Sequence, residues 1–318
     1  MAERVLTERA LNRALLARQL LLERARLPIP RALERIGGIQ NQYAPSGYVG
    51  LWTRLADFER DALTRALERR SVVQGTLMRS TIHLVSARDY WPFAVGVRRA
   101  RREWAVRVHK VGEAEMERRA RGHDFGGYAM LWADVLRVPP SGTWERRRAD
   151  RYARAADWLG PSSVTEEEGL DHLLRRYVGA FGPAQLADAA NWAGVPVAFL
   201  EPSVERLDLR RFRDEAGKEL LDLRRAPLPQ ADTPAPVRFL AHWDACLLAH
   251  ARRTGVLPER HRQRIFATNT PFSFGTVLVD GRVAAAWSHR AGRVVVEPFG
   301  PLPREVEEER ERLEAFHA

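Results

Sequence analysis

Three helical segments followed by a β-rich hairpin can be read twice along this chain, and that repeated order limits the fold more than any other feature. The first helix starts near Thr7 and carries Leu11, Ala14, Leu15 and Leu22 on one face, with Arg18 interrupting the stripe, until Leu27-Pro28-Ile29-Pro30 ends it. A short helix with Leu33 and Ile36 then stops at Gly37-Gly38. Ser46 is placed to cap the next, whose stripe is Tyr48, Leu51, Trp52 and Leu55, and another runs from about Asp57 to Arg69-Arg70. Val72 to Thr76 and Thr81 to Val85 follow as strands around a turn near Gly75 to Arg79. In the second set, Ser163-Val164-Thr165-Glu166 has a capping-box pattern and opens a helix to Phe181 whose inner face is Leu170, Leu173, Leu174 and Tyr177. Helices through Leu186 to Gly194 and Pro196 to Glu205 come next, then strands Leu207 to Phe212 and Glu219 to Leu223 around Asp214 to Gly217.

Helices closed by a hairpin are the order of a winged helix, a helix-turn-helix variant. The expectation is an α+β, mainly α chain: an N-terminal winged helix over 1–100, a helical, arginine-rich connector over 101–160, and a second winged helix over 161–228. A β-rich, winged-helix-like unit over 229–318 follows the linker Pro227 to Pro236. Its strongest element is the hairpin Thr276-Val277-Leu278-Val279, Asp280-Gly281, Arg282 to Trp287, because Asp-Gly suits a two-residue type I′ turn. A strand at Val294 to Glu297 and a C-terminal helix after Pro301 to Pro303 complete it.

The formal charge of +10 favours an anionic partner, nucleic acid first. Only Lys110 and Lys218 are lysines, so an arginine bias of a GC-rich genome reaches the same sum. Distribution says more. Arg98 to Arg121 holds nine Lys/Arg against four Glu, whereas Arg304 to Glu314 holds six Glu against three Arg, so the C-terminal helix is outside the basic region. No run approaches the roughly 20 apolar residues of a membrane span, which predicts a cytoplasmic protein with no membrane partner. Cys246, the only cysteine, rules out an internal disulfide and a cysteine metal cluster, and reads as a buried small hydrophobe.

The run Gln40-Asn41-Gln42 lies between the Gly37-Gly38 stop and Pro45, so a loop or helix end is expected. Neutral amides can orient water or hydrogen-bond a base but are not strong general bases; the duller alternative is a set of helix caps. His83 sits in a strand between Ile82 and Leu84, either as a hydrogen-bonded structural residue or as a participant in chemistry. His242, Asp244 and His250 lack a recognised ligand spacing, so no metal is predicted. Phe272, Phe274 and Pro271, in the loop from Asn269 to Gly275, can be a wedge or a satellite cluster, and Trp52, Trp91 and Trp104 are placed in the core. No phosphate-binding loop, dinucleotide fingerprint or nucleophile elbow is present, so no cofactor is expected.

Taken in order, Gly38-Ile39-Gln40-Asn41-Gln42, Pro45, Tyr48 to Leu55, Arg79 to Asp89, Asp244 with Leu247-Leu248-Ala249-His250, Arg262 to Phe266, Gly275 to Gly281 and Val296-Glu297-Pro298-Phe299 resemble the AlkZ-like DNA glycosylase family. The resemblance implies tandem winged-helix units around a concave basic surface, and excision of alkylated purines, crosslinked ones included, from double-stranded DNA by a monomer. It carries the family's two catalytic glutamines onto Gln40 and Gln42. Asn41 stands where the family has an aliphatic residue. Arg54, Arg79 and His83 are expected at phosphates or the lesion, and Arg282 and Arg293 at the DNA backbone. A non-enzymatic winged-helix regulator, or a protein that only sequesters damaged DNA, is the competing reading.

Overall fold

Thr7 opens the first helix because its hydroxyl accepts from the Ala10 amide, satisfying one of the donors a helix leaves unpaired at its start. The computed structural model describes residues 4–121, 129–251, 254–266 and 274–318. Strand β1 (Val5–Leu6) leads into α1 (Glu8–Arg18). Arg18 does not interrupt the inner face of α1. It is 1 % exposed and binds Asp222 through both guanidinium nitrogens, at 2.6 and 3.0 Å.

Next come α2 (Ile29–Ile36), ended by Gly37 in the left-handed region, β2 (Ile39–Gln40), α3 (Ala44–Trp52), α4 (Arg60–Glu68), β3 (Val72–Thr76) and β4 (Ile82–Ser86). Two expectations change here. Gln40 lies in a strand rather than a loop, and α3 begins earlier than expected, with Tyr43 at its N-cap and Ser46 inside the helix.

The arginine-rich segment holds α5 (Ala87–His109), α6 (Glu113–Arg121), α7 (Ala129–Trp132), β5 (Val135–Arg137), β6 (Tyr152–Arg154) and α8 (Ala155–Leu159). It is not purely helical. β5 and β6 extend the first hairpin into an antiparallel sheet of order β2-β4-β3-β5-β6. Much of its charge is used internally, since Arg98 and Arg101 share Asp134 and Arg118 and Arg119 share Glu115.

The second set is α9 (Glu166–Phe181), α10 (Leu186–Ala193), α11 (Val197–Arg206), β7 (Leu209–Asp214) and β8 (Glu219–Leu223). The capping box forms between Thr165 and Glu168, two residues later than the pattern suggested. β1 joins this hairpin, parallel to β7. Helices α5 and α9 cross where Gly96 and Gly169 meet; a Cβ on Gly96 would lie 2.7 Å from the Gly169 carbonyl carbon, so the crossing excludes side chains. The last unit adds β9 (Arg238–Leu240), a strand the sequence did not reveal, then α12 (Arg262–Ile265), β10 (Gly275–Val279), β11 (Arg282–Arg290), β12 (Arg293–Pro298) and α13 (Glu305–His317). Its sheet order is β12-β11-β10-β9.

A buried polar joint ties these parts together. Gln19, 1 % exposed, donates to the Ile36 and Ala180 carbonyls, both at 3.0 Å, in the last turns of α2 and α9. Its carbonyl accepts from Arg54 at 3.3 Å, and Arg54 grips both oxygens of Asp244 at 2.9 Å. At 2 % exposure Arg54 has no face for a phosphate, so its expected place in the DNA contact is corrected: it is a structural cation.

Removing one partner of a buried ion pair leaves an uncompensated charge. Asp244→Ala is therefore expected to lower the unfolding free energy by about 3–5 kcal/mol, read from urea denaturation, with Arg54→Met/Asp244→Leu recovering part of the loss. A loss for Asp244→Ala no larger than that of an exposed pair, below about 1 kcal/mol, would refute the joint's structural role.

Candidate functional site

Gln40 pairs with His83 across the β2–β4 ladder, and directly opposed residues project on the same face of a sheet. The β3–β4 turn delivers the third member. Arg79 occupies that turn in the left-handed region, φ 51°, and donates to the Gln40 side-chain carbonyl at 2.9 Å and to the Trp192 carbonyl at 2.7 Å. Trp192 belongs to α10, and Gly194 after it has φ 76°, with space so tight that a Cβ would sit 2.9 Å from the Cα of Arg79. The second set of helices thus presses on the first hairpin and aims its arginine at Gln40.

Burial pushes the Arg79 guanidinium down to about 10, leaving it cationic at neutral pH without a carboxylate partner among the described residues. His83 is 3 % exposed, and burial first, then the neighbouring Arg79, hold its imidazole down to about 3. Its Nδ1 lies 3.0 Å from the Thr81 carbonyl, which can only accept, so Nδ1 carries the proton. The expected phosphate contact at His83 is corrected accordingly: a buried neutral ring cannot neutralise a phosphate. It stands beside Gln40 instead.

Asn41, 1 % exposed, turns inward. Its side-chain amide donates to Gln74 at 2.8 Å and accepts from the Gly47 amide at 2.9 Å, while its backbone N–H donates to Ile82 at 2.7 Å. Arg137, 3 % exposed, donates to the Asn41 carbonyl at 3.1 Å and to Gln74 at 3.0 Å. Burial lowers Arg137 to about 10 as well. Asn41 therefore anchors the loop by hydrogen bonds. Gln42 is exposed and makes no hydrogen bond to another described residue. Sequence reasoning missed Gln74 and Arg137; the available sign was a glutamine inside the β-rich run Val72-Val73-Gln74-Gly75-Thr76.

Arg282 is half-exposed, 3.4 Å from Glu8 and donating to the Thr254 carbonyl at 3.2 Å, and Arg293 is exposed at the start of β12. His242, Asp244 and His250 do not converge. His242 faces the Tyr43 and Trp287 rings, Asp244 holds Arg54, and His250 lies 3.1 Å from the Tyr177 hydroxyl. Trp52 is buried and Trp91 half-buried, whereas Trp104 is 38 % exposed and so leaves the core to which its helical setting assigned it. Cys246 is buried. Pro271 and Phe272 lie outside the described residues, and Phe274 is half-buried. No helix among the described residues is long and apolar enough to cross a membrane.

Asn41→Ala strips partners from the buried Gln74 and Gly47 groups and is expected to cost about 1–3 kcal/mol by chemical denaturation; an unchanged midpoint would show that the network carries no stability. His83 also sets a pH dependence. Its folded value near 3 lies below the unfolded value of about 6.5, so it contributes nothing above pH 6.5; as pH falls from there towards 3 the unfolded chain gains a proton and stability drops. The slope from this group reaches at most about 1.4 kcal/mol per pH unit, and His83→Gln should flatten it. Equal slopes for both proteins between pH 6 and 4 would contradict the neutral buried assignment.

The DNA glycosylase AlkZ-like family model matches residues 33–125 and 111–316. Among solved structures, the Streptomyces sahachiroi DNA glycosylase AlkZ is similar over 98 % of this chain and 97 % of that one, with a TM-score of 0.80 at 18 % identity, a likeness of fold. No curated protein matches. With the family pattern running across almost the whole length and the same overall fold on a chain of that description, the protein is a member of the AlkZ-like DNA glycosylase family.

Proposed function

We propose that this chain hydrolyses the N-glycosidic bond of cationic N-alkylated purines in double-stranded DNA, N7-alkylguanines first and interstrand crosslinks among them. It acts as a monomer without a cofactor, with Gln40 and Gln42 as the catalytic pair. The observation that carries this is the amide character of the site: the side chains hydrogen-bonded to Gln40 and Asn41 are a guanidinium and another amide, with no carboxylate among them. Arg79 uses one lone pair of the Gln40 carbonyl and thereby fixes which way the amide faces; the second lone pair remains for a water. An oxygen polarised by a guanidinium is a still poorer base, so the site can orient water but does little to deprotonate it.

Such a site suits a leaving group that is already activated. In an N7- or N3-alkylated purine the base carries the positive charge, and bond cleavage moves that charge to the sugar while the base departs neutral. Little acid assistance is needed. Gln42, facing solvent beside the pinned Gln40, completes a pair of amide dipoles that can hold water at C1′ and stabilise the oxocarbenium-like sugar. Asn41 keeps the loop in place through Gln74 and Gly47, so the polar middle residue is compatible with an ordered site. Arg79, Arg282 and Arg293 are the proposed cationic contacts to DNA, with neutral His83 on the lesion side.

Base release from duplex DNA carrying N7-methylguanine is expected for the wild type. Gln40→Ala and Gln42→Ala should each reduce the single-turnover rate by about 10²-fold or more, with little change in DNA affinity. Equal release by wild type and the double variant would remove both glutamines from catalysis. Tight, sequence-selective binding with no abasic-site formation would support a regulator instead.

A further inference from the structure

One residue beyond Gln42 begins a cavity of about 310 Å³. Its walls are aromatic: Tyr43 meets His242 at 5.7 Å, His242 meets Trp287 at 5.6 Å, and Trp287 meets His317 at 6.2 Å between ring centroids. His289 stacks on His317 at 4.2 Å and 14°. Three polar atoms around this cavity are buried with no hydrogen-bond partner, the hydroxyls of Ser46 and Ser288 and Nε2 of His317. Ser46 is 1 % exposed and sits in the first turn of α3. An unpaired buried hydroxyl or ring nitrogen costs free energy in the empty protein, and several beside one cavity fit a ligand that brings its own donors and acceptors.

Resting on the glycosylase reading, we propose that this cavity is the receptacle for the alkylated purine itself, turned out of the helix and stacked against the Tyr43–His242–Trp287 wall, with its polar edge on Ser46, Ser288 and His317. The size is in the range of small-molecule sites, and stacking walls with a polar edge are the means by which an extruded base is held. A hydrocarbon substituent would leave the three polar atoms unpaired, so the heteroaromatic ring is the better occupant. Burial holds His242 and His317 down to about 4, so both rings are neutral at physiological pH and do not repel a cationic purine. Arg290, also lining the cavity, lies 4.0 Å from Glu297, which offsets its charge.

The test combines direct binding with turnover. Calorimetric titration of the full-length protein with free 3-methyladenine should show saturable binding in the wild type that is lost in Ser288→Phe, which fills the cavity. Binding should weaken by about tenfold or more in Tyr43→Ala, an exposed position whose truncation leaves the core untouched. The same two variants should release N7-methylguanine from duplex DNA at least about tenfold more slowly while binding undamaged duplex as the wild type does. Absence of methylpurine binding in the wild type, or turnover in Tyr43→Ala at the wild-type rate, would overturn the receptacle. Because binding is measured without catalysis, a wild type that binds methylpurine in this cavity yet releases no base would keep the receptacle and overturn the glycosylase reading instead.

Discussion

The joint at Gln19, Arg54 and Asp244 is the constraint on which the rest of the molecule depends. One glutamine closes the open carbonyl ends of two helices from different parts of the chain, and its own carbonyl receives the guanidinium that holds a carboxylate 190 residues further on. Each group is buried, so each satisfies the others or pays the full desolvation cost. The stereochemistry of a bidentate pair then fixes the C-terminal unit against α3, and α3 is the helix that opens directly after Gln42. The aromatic cavity lies between those two bodies, lined from one side by Tyr43 and Ser46 and from the other by His242, Trp287 and His317.

A second theme is cation burial without carboxylates. Arg79 and Arg137 flank the glutamine run and hydrogen-bond amide oxygens and backbone carbonyls rather than acids. Both lose part of their basicity to burial yet stay charged at neutral pH. Such an environment disfavours a proton on any neighbouring group, as His83 shows, and leaves the site electropositive. An approaching phosphodiester would relieve that charge. A carboxylate placed in the run would be captured by Arg79 instead of facing a substrate, which gives a physical reason for amides at this position.

Much of the secondary structure was legible because period and punctuation agree. Leu170, Leu173, Leu174 and Tyr177 are all buried on the inner face of α9, and the Asp280-Gly281 turn joins β10 to β11. Misreadings came where a polar residue has an internal partner that periodicity does not reveal. Arg18 looked like a break in a stripe and is a core residue because Asp222 waits 204 positions away; Arg54 looked like a phosphate ligand and is a core residue because of Asp244. The short strands β2 and β9 were invisible because two or three residues carry no alternation and are defined only by the strand they pair with.

For the site, the chain's own residues determined the chemistry available: two neutral amides around an asparagine, in an order of blocks that marks the family. Which amide faces what was decided by tertiary structure alone. Gln40 is pinned by an arginine from a turn 39 residues on, Asn41 is turned inward by Gln74 and Arg137, and only Gln42 is left to solvent. Local sequence specifies which groups exist and how far apart they lie along the chain. Their direction, burial and charge state follow from partners brought in over long loops, and those contacts exist only once the whole core has formed.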